Sequence, residues 1–161
     1  AMCYYENIID EKRDLLPLLK SKNLFEQIIL KYPKTDFALD AKFKIDLIND
    51  IVASKEIYIG RHYVKKEKWI AAINRFKNVV ENYDTTIYVE EALHRLVEIY
   101  YRIGLINESA KYAKVLGYNY GSGEWYKQSY AIFDKEYNKI NNQTISKEKK
   151  GIIKKFKKLF E

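Results

Sequence analysis

The sequence is poor in the residues that interrupt helices, since its 161 residues include 2 prolines and 6 glycines. This scarcity leaves little room for β-turns and favours a helical chain. The single cysteine, Cys3, excludes an internal disulfide, and we interpret it as a packed helix residue. No run of about 18 apolar residues is present, so we expect no transmembrane helix. The first ten residues have neither the basic nor the apolar region of a signal peptide, so we expect none here.

Residues 59–84 predict a helical hairpin. Apolar residues recur three or four positions apart on both sides of a short charged break, which indicates two striped helices running antiparallel. Small residues, Gly60 and Ala72, are expected where the two helices come closest. Two ordinary helices of a bundle would explain the stripes, but the combination of small and aromatic positions favours a tetratricopeptide (TPR) repeat.

The hairpin pattern recurs at a shift of 37 residues towards the C-terminus and at a shift of 51 towards the N-terminus. Because single hairpins cannot bury their apolar faces, the repeats predict an all-α, TPR-type helical-hairpin superhelix, or solenoid. The 51-residue interval is explained by one extended helix, from about Asp36 to Lys66. One predicted helix precedes it and ends near Lys31. The helices predicted after it cover Trp69–Asn82, Ile87–Ile103, Asn107–Leu116 and, as a C-terminal capping helix, Glu124–Ile140. A turn at Gly117–Gly123 precedes the capping helix.

Three domains follow from this division. Residues 1–34 are the end of a preceding hairpin, in which Asp14 is expected to cap a helix. Residues 35–140 are TPR-like repeats with the capping helix, and residues 141–161 are a linker and a basic amphipathic tail.

Few residues suit catalysis. The two histidines, His62 and His94, fall in different hairpins, and Glu91 with His94 lacks the third ligand that a metal site needs. We interpret His94 as a partly exposed helix residue. No nucleophile motif or phosphate-binding loop is present, so we expect neither a cofactor nor a metal and no enzymatic activity.

The positive charge is concentrated in the tail. The chain has a net charge of +7, and residues 146–161, with seven lysines and two glutamates, account for +5 of it, leaving +2 elsewhere. This distribution argues against nucleic acid as a partner of the repeats. Residues 151–161 place apolar side chains on one face and lysines on the other. The face could contact the repeats themselves, a partner protein or an anionic membrane; its candidate contact residues are Lys154, Lys155, Phe156, Lys157, Lys158 and Phe160.

Several runs resemble one family. The segments Ala71–Phe76 (AAINRF), Val79–Tyr83 (VVENY), Glu91–Glu98 (EALHRLVE) and Val115–Tyr120 (VLGYNY) resemble the BamD family, the TPR lipoproteins of the outer-membrane β-barrel assembly (BAM) machinery, in its alphaproteobacterial form. The likeness covers roughly residues 4–133. It implies that the chain corresponds to the C-terminal half of a five-repeat protein, and Cys3 does not match the family's lipidated cysteine.

The resemblance also implies a function. It implies a non-enzymatic scaffold of the BAM complex, lipid-anchored as a full-length protein at the periplasmic face of the outer membrane. The expected partners are the last periplasmic POTRA domain of BamA, other BAM lipoproteins and unfolded outer-membrane proteins, with a membrane surface through the tail. Arg75 and Asn74 match the BamA contact region. The alternative is a generic TPR adaptor of another complex.

Overall fold

The structure is a computed structural model that describes residues 1–6 and 15–133, and every regular element in those ranges is helical. Consecutive helices pack against each other in chain order. This arrangement confirms the predicted all-α, TPR-like helical solenoid. The helices are α1 (Met2–Glu6), α2 (Leu16–Lys31), α3 (Asp36–Lys65), α4 (Trp69–Asn82), α5 (Val89–Arg102) and α6 (Ile106–Tyr120), and residues 124–133, the C-terminal segment, are also helical.

The extended helix α3 confirms the prediction to within one residue. Its N-cap is Thr35, whose side-chain oxygen accepts a hydrogen bond from the Ala38 amide at 3.3 Å. A threonine in this position satisfies one of the amides that the first helical turn leaves unpaired. No proline or glycine follows until Gly60, so α3 continues for 30 residues, or about 45 Å at 1.5 Å per residue.

Two hydrophobic clusters share α3. In the N-terminal cluster, Ala41, Ile48 and Val52 of α3 pack with two side chains of α2, Leu18 and Phe25. In the C-terminal cluster, the second half of α3 packs with α4, α5 and α6. The additional length of α3 therefore buries its own apolar residues against α2, while its C-terminal half forms the TPR-like hairpin.

Gly60 lies at the closest approach of α3 and α4. A Cβ atom at this position would stand 2.6 Å from Cε1 of Phe76, a side chain that is fully buried. Only glycine avoids that overlap unless the ring moves. Ala72 is also fully buried in the same cluster. The predicted role of small residues in this hairpin is thus confirmed at Gly60.

The turns after α3 and α5 have the same hydrogen-bond pattern. After α5, the Leu105 amide donates to the Tyr100 carbonyl at 2.9 Å and the Gly104 amide to the Tyr101 carbonyl at 3.1 Å. After α3, equivalent bonds hold Glu67 in the position of Gly104. These are Schellman motifs, whose central residue is left-handed: φ is 85° at Gly104 and 55° at Glu67.

Glycine should be favoured at both turns. We expect Glu67→Gly to stabilise the fold by about 0.5–1 kcal/mol, because an L-residue in the left-handed region costs about 1–2 kcal/mol and glycine's greater freedom when unfolded offsets part of the gain. Gly104→Ala should destabilise it by about 1 kcal/mol. An added Cβ at Gly104 meets nothing within 4 Å, so steric overlap cannot cause the loss. Urea unfolding checks both, and equal effects of the same sign would contradict this account.

Three expectations about helix bounds and about Cys3 are wrong. Helix α6 continues through Gly117 to Tyr120, because Gly117 leaves space for the Tyr126 ring: a Cβ atom added at this glycine would stand 2.8 Å from Cε2 of Tyr126. The turn is therefore shorter than predicted. Helix α5 begins at Val89, two residues later than predicted. Cys3 is exposed, and α1 packs on α2 through Tyr5 against Phe25 instead.

Some predictions fall outside the described residues. These are the proposed cap at Asp14, residues 134–140 of the capping helix and the whole tail, so the division into three domains stays a prediction. Residues 124–133 do form a helix that packs on the C-terminal cluster through Trp125 and Tyr126. Within the described ranges, no helix combines the length and the apolar content needed to cross a bilayer.

Candidate partner-binding groove

A polar groove of about 520 Å³ runs between α3 and α4. It lies beside the hairpin contact formed by Gly60 and Phe76, so the buried face of α4 fixes which of its residues point into the groove. Positive, negative and amide side chains all line it, which suits recognition of a polar protein surface. The lining residues are Glu56, Tyr63, Ala71, Asn74, Arg75, Lys77, Asn78 and Glu81.

Arg75 is held at the groove by Glu56. Its Nη1 lies 3.2 Å from both carboxylate oxygens of Glu56. The Arg75 side chain is 41% exposed and that of Glu56 13%. Because Arg75 lies between the buried residues Ile73 and Phe76, its backbone is fixed while its side chain extends across to α3. Because the arginine side of the pair faces solvent, we expect the pair to contribute about 0–1 kcal/mol to stability, and the Arg75 guanidinium is accessible to another carboxylate.

Lys77 is one of the cations that line the groove, and it lies near tyrosines of α5 and α6. The pKa of Lys77 is raised by Tyr112 and then by Tyr100, whose rings stack with centroids 5.5 Å apart. Burial raises the pKa of Tyr112, and burial followed by the Glu56 charge raises that of Tyr83. At neutral pH the lysine is therefore a cation beside uncharged phenols, and the groove offers charges of both signs without a nucleophile paired with a base.

The structure brings both residues of the predicted BamA contact to this groove: Asn74 is exposed and Arg75 lies next to it. The sequence analysis did not identify two other charged residues that line the groove, Glu56 and Lys77. Glu56 lies one helical turn before Gly60, so the hairpin register around Gly60 could have indicated it. The candidate tail residues, Lys154 to Lys158 and Phe160, lie outside the described residues.

A second polar cluster on α5 contacts both α3 and the C-terminal segment. The buried Glu91 carboxylate accepts two hydrogen bonds from Arg61, at 2.6 and 2.5 Å. His94 is only 2% exposed, with Nδ1 2.7 Å from the Ser129 hydroxyl and its ring against Trp125. The expectation of a partly exposed histidine is wrong, because a segment some thirty residues later in the chain covers it.

Glu91 and His94 therefore have structural partners. The Glu91 carboxylate is bound by an arginine, and the two nitrogens of His94 face Ser129 and, at 3.5 Å, Glu98. In residues 1–6 and 15–133, no group of three or more His, Cys, Asp or Glu side chains could hold a metal ion. The cluster joins α5 to α3 through Arg61 and Glu91, and it fixes the C-terminal segment on α5 through His94 and Ser129.

The buried histidine predicts an acid-sensitive fold. The pKa of His94 is lowered, chiefly by burial, with Glu98 acting in the opposite direction. Below the ordinary value of about 6.5, the unfolded chain thus binds more protons than the folded chain, and the stability contributed by neutral His94 falls as pH decreases towards the lowered pKa. We expect the free energy of unfolding to decrease from about pH 7.5 to about pH 5.5, by at most about 1.4 kcal/mol per pH unit from this group.

Urea unfolding of His94→Gln across this range measures the effect. The variant should show a shallower pH dependence than the original chain, whatever its absolute stability. His62→Gln, which changes an exposed histidine, is the matched control. If the free energy of unfolding changed with pH in the same way in the original chain and in His94→Gln, titration of His94 would not be the cause of the pH dependence.

The chain matches known proteins over most of its length. The sequence model of the family described as YfiO: Outer membrane lipoprotein matches residues 1–116. The outer membrane protein assembly factor BamD of Rickettsia prowazekii is 48% identical over 132 residues, covering 82% of this chain and 53% of that protein. Its namesake from Caulobacter vibrioides is 42% identical over 134 residues, covering 83% and 44%. That of Neisseria meningitidis serogroup A is 30% identical over 96 residues, covering 60% and 36%.

The chain spans about half the length of the first two relatives. The family match covers the helical hairpins from α1 into α6, including the groove between α3 and α4. With this match over more than two thirds of its residues, the chain belongs to the YfiO family of outer membrane lipoproteins.

Proposed function

We propose that this chain is part of a non-enzymatic scaffold subunit of the BAM complex, acting at the periplasmic face of the outer membrane. The observation that carries the proposal is the 48% identity to an outer membrane protein assembly factor BamD over 82% of the chain. The family description, an outer membrane lipoprotein, supports this location and a lipid anchor on the full-length protein. A solenoid of helical hairpins suits a scaffold because it presents extended surfaces to other proteins.

The polar groove is the proposed contact surface for BamA. Arg75 and Asn74 lie side by side on α4, and Arg75 has a weak, partly exposed pair with Glu56 that an acidic residue of the partner can replace. The partner is thus expected to present a carboxylate, which we propose belongs to the last periplasmic POTRA domain of BamA. Other BAM lipoproteins and unfolded outer-membrane proteins are further proposed partners that the remaining surfaces would contact.

The proposal is tested by titrating the chain with the purified periplasmic domains of BamA from the same organism in a calorimeter. We expect saturable binding that weakens when salt is raised, because charge pairs between exposed groups are screened. A fragment that lacks the last POTRA domain is the matched control and should bind much less. Equal binding of both fragments, or none of either, would contradict docking through this surface.

A further inference from the structure

The N-terminal half of α3 carries an exposed apolar row on the side away from α2. Leu39, Phe43 and Leu47 stand four residues apart and are 56%, 62% and 51% exposed. Residues spaced by four lie one above another on a helix. Farther along α3, the apolar side chains Ala53 and Ile57 are buried in the C-terminal cluster, so the exposed row belongs to the part of α3 that extends beyond the hairpin.

Aspartates accompany this row. Asp36, Asp40, Asp46 and Asp50 fall with the three apolar residues within an arc of about 120° on the helical projection. The first three are exposed and Asp50 is half-buried. Lys44 borders the arc, and its Nζ lies 3.4 Å from the Asp40 carboxylate. We call this surface the acidic stripe: four carboxylates alternating with three large apolar side chains along about 20 Å of helix.

The sequence contains a segment of opposite charge and matching pattern. Residues 151–161, outside the described residues, have the sequence GIIKKFKKLFE, with five large apolar residues, four lysines and one glutamate. A free helix of this length is marginal in water, so its apolar residues need a surface to cover them. The acidic stripe offers apolar residues for that contact and carboxylates for the lysines.

The connection is long enough for the contact to be made within one chain. Seventeen residues, 134–150, separate the C-terminal segment from residues 151–161. Fully extended at about 3.3 Å per residue, they can span about 56 Å. If residues 134–140 continue the predicted capping helix at about 1.5 Å per residue, the span is about 44 Å, close to the length of α3 itself, about 45 Å. The tail can therefore reach the N-terminal half of α3 from the opposite end of the stack.

We propose that residues 151–161 bind the acidic stripe of their own chain, with the apolar residues on Leu39, Phe43 and Leu47 and the lysines beside the aspartates. This contact does not depend on the proposed role in the BAM complex. Since the tail sequence is basic and the aspartates of the stripe are mostly exposed, the strength of the contact falls as ionic strength increases and the Debye length shortens.

A spin label on the full-length chain tests the contact. Cys3→Ser with Glu161→Cys places the label at the end of the tail, and NMR then measures the broadening of backbone amide signals. Protein that carries both the spin label and the isotopes is diluted into protein that carries neither. The broadening then reports only contacts within one molecule. We expect broadening of residues 36–50, reduced at least about threefold in Asp40→Lys/Asp46→Lys, as expected when several exposed charge pairs are lost. The reduction should also follow an increase of ionic strength from about 0.05 to about 0.5 M.

The matched control is Glu26→Lys/Asp84→Lys, which changes the net charge equally at exposed positions outside the stripe and should leave the broadening intact. Circular dichroism establishes that all variants fold. Three results would overturn the proposal: no broadening at residues 36–50, broadening that Asp40→Lys/Asp46→Lys leaves unchanged, or broadening seen only when label and isotope are on different molecules. The last result would show that the tail of one molecule binds the acidic stripe of a second copy.

Discussion

Replacing Phe76 with alanine should destabilise the fold by about 3–5 kcal/mol, the range for deleting a fully buried aromatic side chain. Phe76 is 0% exposed and packs directly against the backbone at Gly60. Because Gly60 has no side chain that could move into the space, the ring leaves a cavity at the centre of the α3–α4 hairpin. Urea unfolding followed by circular dichroism measures the loss. Ile70→Ala, which changes a 69% exposed residue of the same helix, should change stability by less than about 0.5 kcal/mol.

A second substitution tests whether the cavity is the cause. Gly60→Leu alone should destabilise the hairpin by about 1–3 kcal/mol, because the added side chain overlaps the Phe76 ring. In the Phe76→Ala background, the same leucine enters the space that the ring has left. The double variant should therefore be more stable than the sum of the two losses predicts, by at least about 1 kcal/mol. Additive losses would show that the two residues do not compete for one space.

Arg75→Ala should weaken binding to the BamA periplasmic domains by about 2 kcal/mol, or about 30-fold, if the guanidinium pairs with a partner carboxylate that is shielded from water. Folding stability should hardly change, since the pair with Glu56 is partly exposed. Calorimetric titration and urea unfolding of the same variant measure the two quantities separately. Loss of stability with unchanged affinity would instead assign Arg75 a structural role.

Two further variants separate the partner contact from the internal pair. Arg102→Ala removes an exposed arginine outside the groove and should leave affinity for BamA unchanged. Glu56→Gln removes the carboxylate that competes for Arg75, so affinity should stay the same or increase. If Glu56→Gln weakened binding as much as Arg75→Ala, the pair would act by maintaining the shape of the groove, and direct contact by Arg75 would be contradicted.

Elements with a local cause were predictable from the sequence. Helices α3 and α4 were predicted to within one residue, because a threonine N-cap, the apolar period and the charged break all act over a few residues. The end of α5 was predicted to within one residue, at Ile103, because the left-handed turn at Gly104 that follows is a local property of the chain. The continuation of α6 through Gly117 was missed, since it depends on Tyr126 from the next helix.

The candidate site required more than the local pattern. Asn74 and Arg75 were identified through the family resemblance, and their spacing alone would not have distinguished them from other exposed helix residues. Glu56, nineteen positions before Arg75, and Ser129, thirty-five after His94, become neighbours only through tertiary packing. The burial of His94 could not be predicted for the same reason. The local sequence of a helix face is the same whether that face is exposed or is covered by a later segment of the chain.

The continuity of α3 has a mechanical consequence. One helix contributes side chains to both hydrophobic clusters, and between Asp36 and Gly60 it contains no residue at which helices usually kink. Relative motion of the two clusters must therefore bend the helix itself, because α3 has no hinge. Because the helix is continuous, a displacement of the acidic stripe would be transmitted along α3 to the side of the groove that Glu56 and Tyr63 form.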